Sequence, residues 1–276
     1  MPPSSNLLRG GLMFRKLFVA LLGCAVVFTA ASANAITYGE LDGNGHPAVG
    51  AMIRLRPSDN TLRLTCSGSL ISPTVFLTAS HCTSFVESTG QTDIWVTFDP
   101  SFDSHSRLIH GTMHTNPLFN QTQSDSQDIA VITFDQPVRG ITPVDLPPAG
   151  LLSQMHASGT LNGTLFTSVG YGTQQPQQGP GGIQNAFDGQ RRFAVGEFSA
   201  LNPNWLRISQ NVHTGSGGTC SGDSGGPQFL GAGADETNTQ VSITITGDLF
   251  CFATNVDYRL DTPSARAFLD DFVTLP

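Results

Sequence analysis

Three short segments of the chain hold residues able to do chemistry. LTASHC ends in His81 and Cys82, DIAVITF starts at Asp128, and CSGDSGGP runs from Cys220 to Pro227 with Ser224 at its centre. Taken singly, each has an ordinary explanation. A His beside a Cys is usually structural, and an Asp before an apolar strand is usually a cap or a turn. The third segment says more, because glycines on both sides of Asp223-Ser224 suit a tight turn with exposed backbone. Together, in the order His, Asp, Ser, the three supply a set for acyl transfer. A serine hydroxyl is a weak nucleophile until a neighbouring base takes its proton. An imidazole with an ordinary pKa near 6.5 can do so at neutral pH. A buried carboxylate orients that imidazole and stabilises its cation.

Such groups need a rigid frame, and the surrounding pattern supplies strands. Short alternating or apolar runs recur between turn residues, among them AMIRLR (51–56), TLRLTC (61–66), TVFLTA (74–79), LFTSVGYG (165–172), WLRIS (205–209) and VDYRL (256–260). Period-two patterning rich in β-branched and aromatic residues predicts strands, and many short strands predict antiparallel sandwiches or barrels. One helix is expected, at the C-terminus, where Thr262 can cap it, Pro263 suits its first turn and SARAFLDDF follows. Asp145-Leu-Pro-Pro148 marks a linker between two halves, and TQQPQQGPGG (173–182) reads as a flexible surface loop.

Residues 1–35 read as a secretory signal peptide, with Met13 as a candidate start. Arg15 and Lys16 precede the apolar run LFVALLGCAVVF, and Ala33-Asn34-Ala35 follows the A-x-A cleavage pattern. Ala31-Ser32-Ala33 offers a second such site. A run of twelve apolar residues is short for a membrane span. Export would remove Cys24 and leave Cys66, Cys82, Cys220 and Cys251, an even set that suggests two disulfides. Three pairings are open, of which the nearest-neighbour one is Cys66–Cys82 with Cys220–Cys251. A net charge of −8, with Lys16 the only lysine, argues against nucleic-acid binding.

At these motifs the chain resembles the trypsin/chymotrypsin family of serine proteases. CSGSLISPTVFLTASHC is similar to the family's segment ending in the catalytic His, DIAVITF to the strand that begins at the catalytic Asp, and CSGDSGGP to the nucleophile motif. The spacings, 47 and 96 residues, suit the family. The resemblance implies an all-β fold of two six-stranded antiparallel β-barrels with a short C-terminal helix, the barrels covering 36–145 and 146–276. It implies Ser224 as nucleophile, His81 as general base and then acid, Asp128 as its orienter, and the N–H groups of Gly222 and Ser224 as the oxyanion hole. Cys66–Cys82 would anchor the loop of His81, and Cys220–Cys251 would tie the Ser224 loop to the specificity pocket. That pocket is expected from Gly218, Thr219, Gly247 and Val256, with Asp257 the alternative to Val256. Gly218 stands where trypsin-like members carry an Asp, so uncharged side chains are expected in the pocket. Ile245-Thr246-Gly247 replaces the family's Ser-Trp-Gly. ITYG (36–39) resembles the family's Ile-Val-Gly-Gly start, so a freed ammonium on Ile36 is expected to pair with Asp223. The resemblance implies protein or peptide substrates, no cofactor or metal, no stable membrane association, a monomer, and an extracellular or periplasmic location.

Rival readings are weaker. Gly222-Asp-Ser-Gly-Gly226 also fits the G-x-S-x-G elbow of α/β-hydrolases, but that fold needs its His after the Ser, and the last His here is His213. A protease-like binding protein without activity would be expected to lack a triad member. His110 and His114, on a strand-like run, do not converge as a helical zinc pair does. The acids between Glu87 and Asp103 read as a solvated loop before a calcium site, and Asn120 and Asn162 fit glycosylation acceptors.

Overall fold

Alternation in the first half becomes a closed sheet. The computed structural model describes residues 36–179 and 182–276, and the expected leader, 1–35, lies outside them. A two-residue strand β1 (Glu40–Leu41) precedes β2 (Val49–Arg56), β3 (Thr61–Ser72), β4 (Val75–Thr78), helix α1 (Ser80–Ser88), β5 (Ile94–Thr97), β6 (Ile109–Thr115) and β7 (Ala130–Thr133). Strands β2 to β7 close in the order β2-β3-β4-β7-β6-β5, each pair antiparallel. Inward-facing residues such as Met52, Leu70, Phe76, Ile94 and Ile132 are fully buried and fill the barrel.

A second closed barrel follows. After α2 (Leu151–Ala157) come β8 (Leu165–Gly170), β9 (Pro176–Gly179), β10 (Gly182–Asn185), β11 (Arg192–Leu201), β12 (Trp205–Ser209), β13 (Pro227–Leu230), β14 (Gln240–Gly247), β15 (Thr254–Arg259) and α3 (Pro263–Leu269). Six of these close in the order β8-β11-β12-β15-β14-β13, with β1 added beside β11 and β9–β10 forming a separate hairpin. One sector of this interior is polar. Gln210, Thr219, Thr244, Asn255 and Asp257 are buried there. Thr219 Oγ1 donates to Asn255 Oδ1 at 2.5 Å, and Asn255 Nδ2 to Asp257 Oδ1 at 2.7 Å. Such groups tolerate burial because most find partners among themselves.

Three local features differ from expectation. Helices α1 and α2 form where none was expected, and TQQPQQGPGG contributes strand β9 and the start of β10 instead of an open loop. The C-terminal helix forms as expected, with Thr262 Oγ1 accepting from Ala265 N at 3.3 Å, but it ends at Leu269. Both disulfides take the nearest-neighbour pairing, Cys66–Cys82 joining β3 to α1 and Cys220–Cys251 joining the Ser224 loop to the turn before β15. No helix among the described residues is long and apolar enough to cross a membrane.

Candidate active site

His81 is the second residue of α1, and the chain fastens that turn at several points. Cys82 is bonded to Cys66 on β3. Ser80 Oγ donates to Ile129 O at 2.7 Å and accepts from Asn116 N at 3.1 Å, which ties the start of α1 to the segment entering β7. Asp128 heads that segment and is only 3% exposed. One of its oxygens accepts His81 N at 2.8 Å and the other lies 2.8 Å from His81 Nδ1. An ionised carboxylate can only accept, so in a neutral imidazole held this way the ring proton belongs on Nδ1 and the lone pair on Nε2. Nε2 lies 3.6 Å from Cys82 Sγ, and the same sulfur is 3.9 Å from Ser224 O, so the basic nitrogen and the serine flank one disulfide.

Ser224 sits on a turn whose backbone is held on every side. Its carbonyl accepts Ser67 N at 2.9 Å, and Gly225 N donates to Thr244 O at 2.7 Å. Gly225 adopts φ +80°, and a Cβ there would lie 2.2 Å from Thr78 Oγ1, so only glycine fits between the two barrels. Within this turn the N–H groups of Gly222 and Ser224 donate to no described group, whereas those of Asp223, Gly225 and Gly226 are all engaged. Two free donors beside a serine hydroxyl are what a developing oxyanion requires.

Asp223 is fully buried behind this turn. Burial raises its carboxyl pKa to about 7, against hydrogen bonds from Cys220 N at 2.9 Å and Gly172 N at 2.7 Å that lower it. Among the described residues no cation pairs with it. Ile36 is fully buried, and Thr37 exchanges two backbone hydrogen bonds with Gly218, at 2.8 and 3.1 Å. The ITYG segment is therefore seated against the Ser224 loop, while Ile36 N remains a peptide nitrogen joined to Ala35 and carries no charge.

Two concave surfaces meet at Ile245 and Thr246. A crevice of about 240 Å³ is lined by Ser224, Thr219, Thr244, Gly247, Leu249 and the Cys220–Cys251 disulfide, among others. A cleft of about 400 Å³ runs from His81 and Asp128 to Trp205, Arg207 and Val256. Thr219 and Gly247, two of the residues expected at a specificity pocket, both line the crevice. Gly218 does not line the crevice. It makes room for Gln210, since a Cβ at Gly218 would lie 2.4 Å from Gln210 Cγ. Val256 lines the cleft, while Asn255 and Asp257 point into the barrel. Among the described residues no cation stands beside Asp257, and its pKa is pushed well up by burial, hydrogen bonds from Thr244 and Asn255 notwithstanding.

Other candidates separate. Cys66, His81 and Cys82 place ligand atoms within 4.8 Å of one another, but the two sulfurs are bonded together and offer no thiolate. His110 reaches Asp93 at 3.0 Å and His114 reaches Thr133 at 2.9 Å, each on its own. The hydroxyl of Ser80, that of Ser67, which donates to Gly222 O at 3.0 Å, and the cleft residues Trp205 and Arg207 were not singled out from sequence. Only the closed barrels bring them to this place.

The frame and the sequence agree on kinship. Residues 43–265, most of the chain and all three segments that hold His81, Asp128 and Ser224, match the sequence model of the trypsin family. With two antiparallel six-stranded barrels and both disulfides in place, this chain belongs to the trypsin family of serine proteases.

Proposed function

We propose that the chain is a secreted serine endopeptidase that hydrolyses peptide bonds through an acyl-enzyme on Ser224. The observation that carries this reading is the seating of His81. Both oxygens of a buried Asp128 hold it, and its free Nε2 is turned toward the disulfide that borders Ser224. In this reading His81 takes the proton of Ser224 as the hydroxyl attacks the scissile carbonyl. Asp128 stabilises the imidazolium so formed, and the Gly222 and Ser224 N–H groups receive the oxyanion. His81 then passes the proton to the leaving amine. Water enters, is deprotonated by the same nitrogen and attacks the acyl carbonyl; the ester bond to Ser224 then breaks as His81 returns that proton to Ser224 Oγ, and the acid departs. The crevice is lined by hydroxyls, aliphatic groups and a disulfide. Its one acid, Asp248, is engaged by the N–H groups of Phe252, Ala253 and Thr254. An uncharged side chain is the occupant that fits.

Removal of residues 1–35 completes the site in this proposal. It frees an ammonium on Ile36 for the cation-less Asp223, whose neighbours Gly222 and Ser224 form the oxyanion hole. No Arg or Lys stands immediately before Ile36, so signal peptidase itself would release the activating end. N-terminal sequencing of the exported protein reads this directly. A fully active enzyme that starts at Asn34 would sink it.

The test of the catalytic role is reaction of the exported protein with a phosphonylating reagent, followed by peptide mapping. The expected result is one label on Ser224, lost in His81→Ala along with peptide hydrolysis. A folded, processed chain that takes no label would instead be a protease-like binding protein.

A further inference from the structure

Arg207 stands alone in the cleft beside His81. It is exposed on β12, and among the described residues its guanidinium has no hydrogen-bond or ion-pair partner. The strand registers place it in a row. Arg207 pairs across to Val256, and Val256 to Thr246 on β14, so all three side chains stand on the outer face of the barrel. Leu206 and Ile208, on either side of Arg207, face inward and are buried. Thr246 borders both the cleft and the crevice that holds Ser224. Two strand spacings separate Thr246 from Arg207, about 10 Å, which an extended peptide covers in about three residues of 3.3 Å each.

The surroundings make this a charge-reading position. Trp205 and Val256 flank Arg207 with half-buried apolar surface, so no neighbouring group there competes for its charge. The one carboxylate that lines the cleft, Asp128, is already engaged with His81, and Asp125, next in sequence to the lining residue Ser126, accepts the Tyr258 hydroxyl at 2.9 Å. On a chain of net charge −8, a free guanidinium here is an isolated positive spot. Resting on the proposed peptidase reading, we infer that Arg207 selects substrates carrying an acidic side chain two to four residues from the scissile bond. The carboxylate would meet the guanidinium in paired hydrogen bonds.

The test is a set of peptides identical except for Glu, Gln or Lys at each of those positions. The wild-type protein should cleave the Glu peptide at least tenfold faster in kcat/KM than the Lys peptide at one position, and the ratio should shrink as salt rises. Arg207→Glu should invert the ratio. A ratio within one variant does not depend on how much of it folds. Cleavage with equal kcat/KM for Glu and Lys at every position, in both proteins, would overturn the inference. A second measurement is independent of turnover. A fluorescent Glu peptide should bind the processed Ser224→Ala protein more tightly than its Lys counterpart by anisotropy, and Arg207→Glu in that background should reverse the order. If nothing is cleaved but this preference appears, the peptidase reading fails and the Arg207 site stands. If peptides are cleaved but neither measurement shows a charge preference, the reverse holds.

Discussion

Asp223 allows the activation step to be read as a difference in stability between two chains. Take the Ser224→Ala protein, so that self-digestion plays no part, in one form that begins at Ile36 and another that keeps Asn34 and Ala35. In the longer form Asp223 is buried without a cation, and its carboxyl rises from 3.8 to about 7. The folded state then holds a proton that the unfolded state gives up at lower pH. Stability is therefore fully present below about pH 4 and declines as pH climbs toward 7. The gap of about three pH units corresponds to about 4 kcal/mol. In the form that begins at Ile36 the ammonium stabilises the carboxylate, lowers its pKa and removes this decline. Urea unfolding at half-unit steps from pH 4 to 7.5 measures both curves. Every other titrating group, Asp257 included, is common to the two chains and cancels in the difference. The difference should widen by several kcal/mol in favour of the shorter chain over that interval. Above it the slope of the difference changes sign and the gap narrows: pairing raises the α-amino pKa over its ordinary 7.7–8.0, so that contribution is complete below this value and fades as pH passes the folded one. Parallel curves from pH 4 to 7.5 would refute the pairing.

Other perturbations follow from the same geometry. Gly222→Ala puts a Cβ at φ +97° and 3.0 Å from Gly172 Cα, which displaces one of the two proposed oxyanion donors. A loss on the order of 10² to 10³ in kcat is expected, read by steady-state hydrolysis. Replacing Cys220 and Cys251 together by Ser opens a loop spanning 31 residues and should cost about 3–4 kcal/mol in urea unfolding. His46 lies between Asp42 and Glu236, with Nε2 2.8 Å from Glu236 Oε1, beside the buried Asp42–Arg191 pair. Burial by itself would lower its pKa, but hydrogen bonds to both acids outweigh that and raise it to about 9. The stability from this clamp is then whole below about pH 6.5 and disappears as pH rises through 9. His46→Gln should flatten the stability curve between those values, and an unchanged slope would show that the clamp contributes nothing.

Local signals explain what could be read from the chain in advance. The C-terminal helix was legible because Thr262 and Pro263 mark its start by side-chain capping and fixed φ, effects confined to a few residues. Helix α1 carries no such marks. Its N-cap is Ala79 without a side-chain bond, and SHCTSFVES includes β-branched and hydroxyl residues that favour strands or turns. The Cys66–Cys82 disulfide and the Ser80 bonds to Ile129 and Asn116 hold it instead, and those are long-range. β13 begins with a proline and spans four residues, too short to show a period, and gains its definition from neighbours β8 and β14. The residues of the proposed triad were legible because each lies in a distinctive local string. Arg207 and Trp205 were not, since they sit in an ordinary alternating strand and matter only by what lies across from them.

The third wall of the crevice turns on a single extra residue. β14 pairs Thr244 with Asp257 and Thr246 with Val256, so Ile245 has no partner of its own and the strand bulges there. A one-residue slip exchanges the two faces of a strand, which is why Val256 and Asp257 stayed alternatives when only spacing was considered. With the bulge at Ile245, Asn255 and Asp257 turn inward to Thr219 and Thr244, and Val256 turns outward beside Arg207. The same bulge leaves Ile245 and Thr246 bordering both concave surfaces. An extended chain crossing from β14 toward β12 would then drop one side chain into the crevice next to Ser224 and carry another residue over Thr246 and Val256 to the free guanidinium. The uncharged selection proposed for the crevice and the acidic selection inferred for the cleft are, on this geometry, two consequences of one irregular strand.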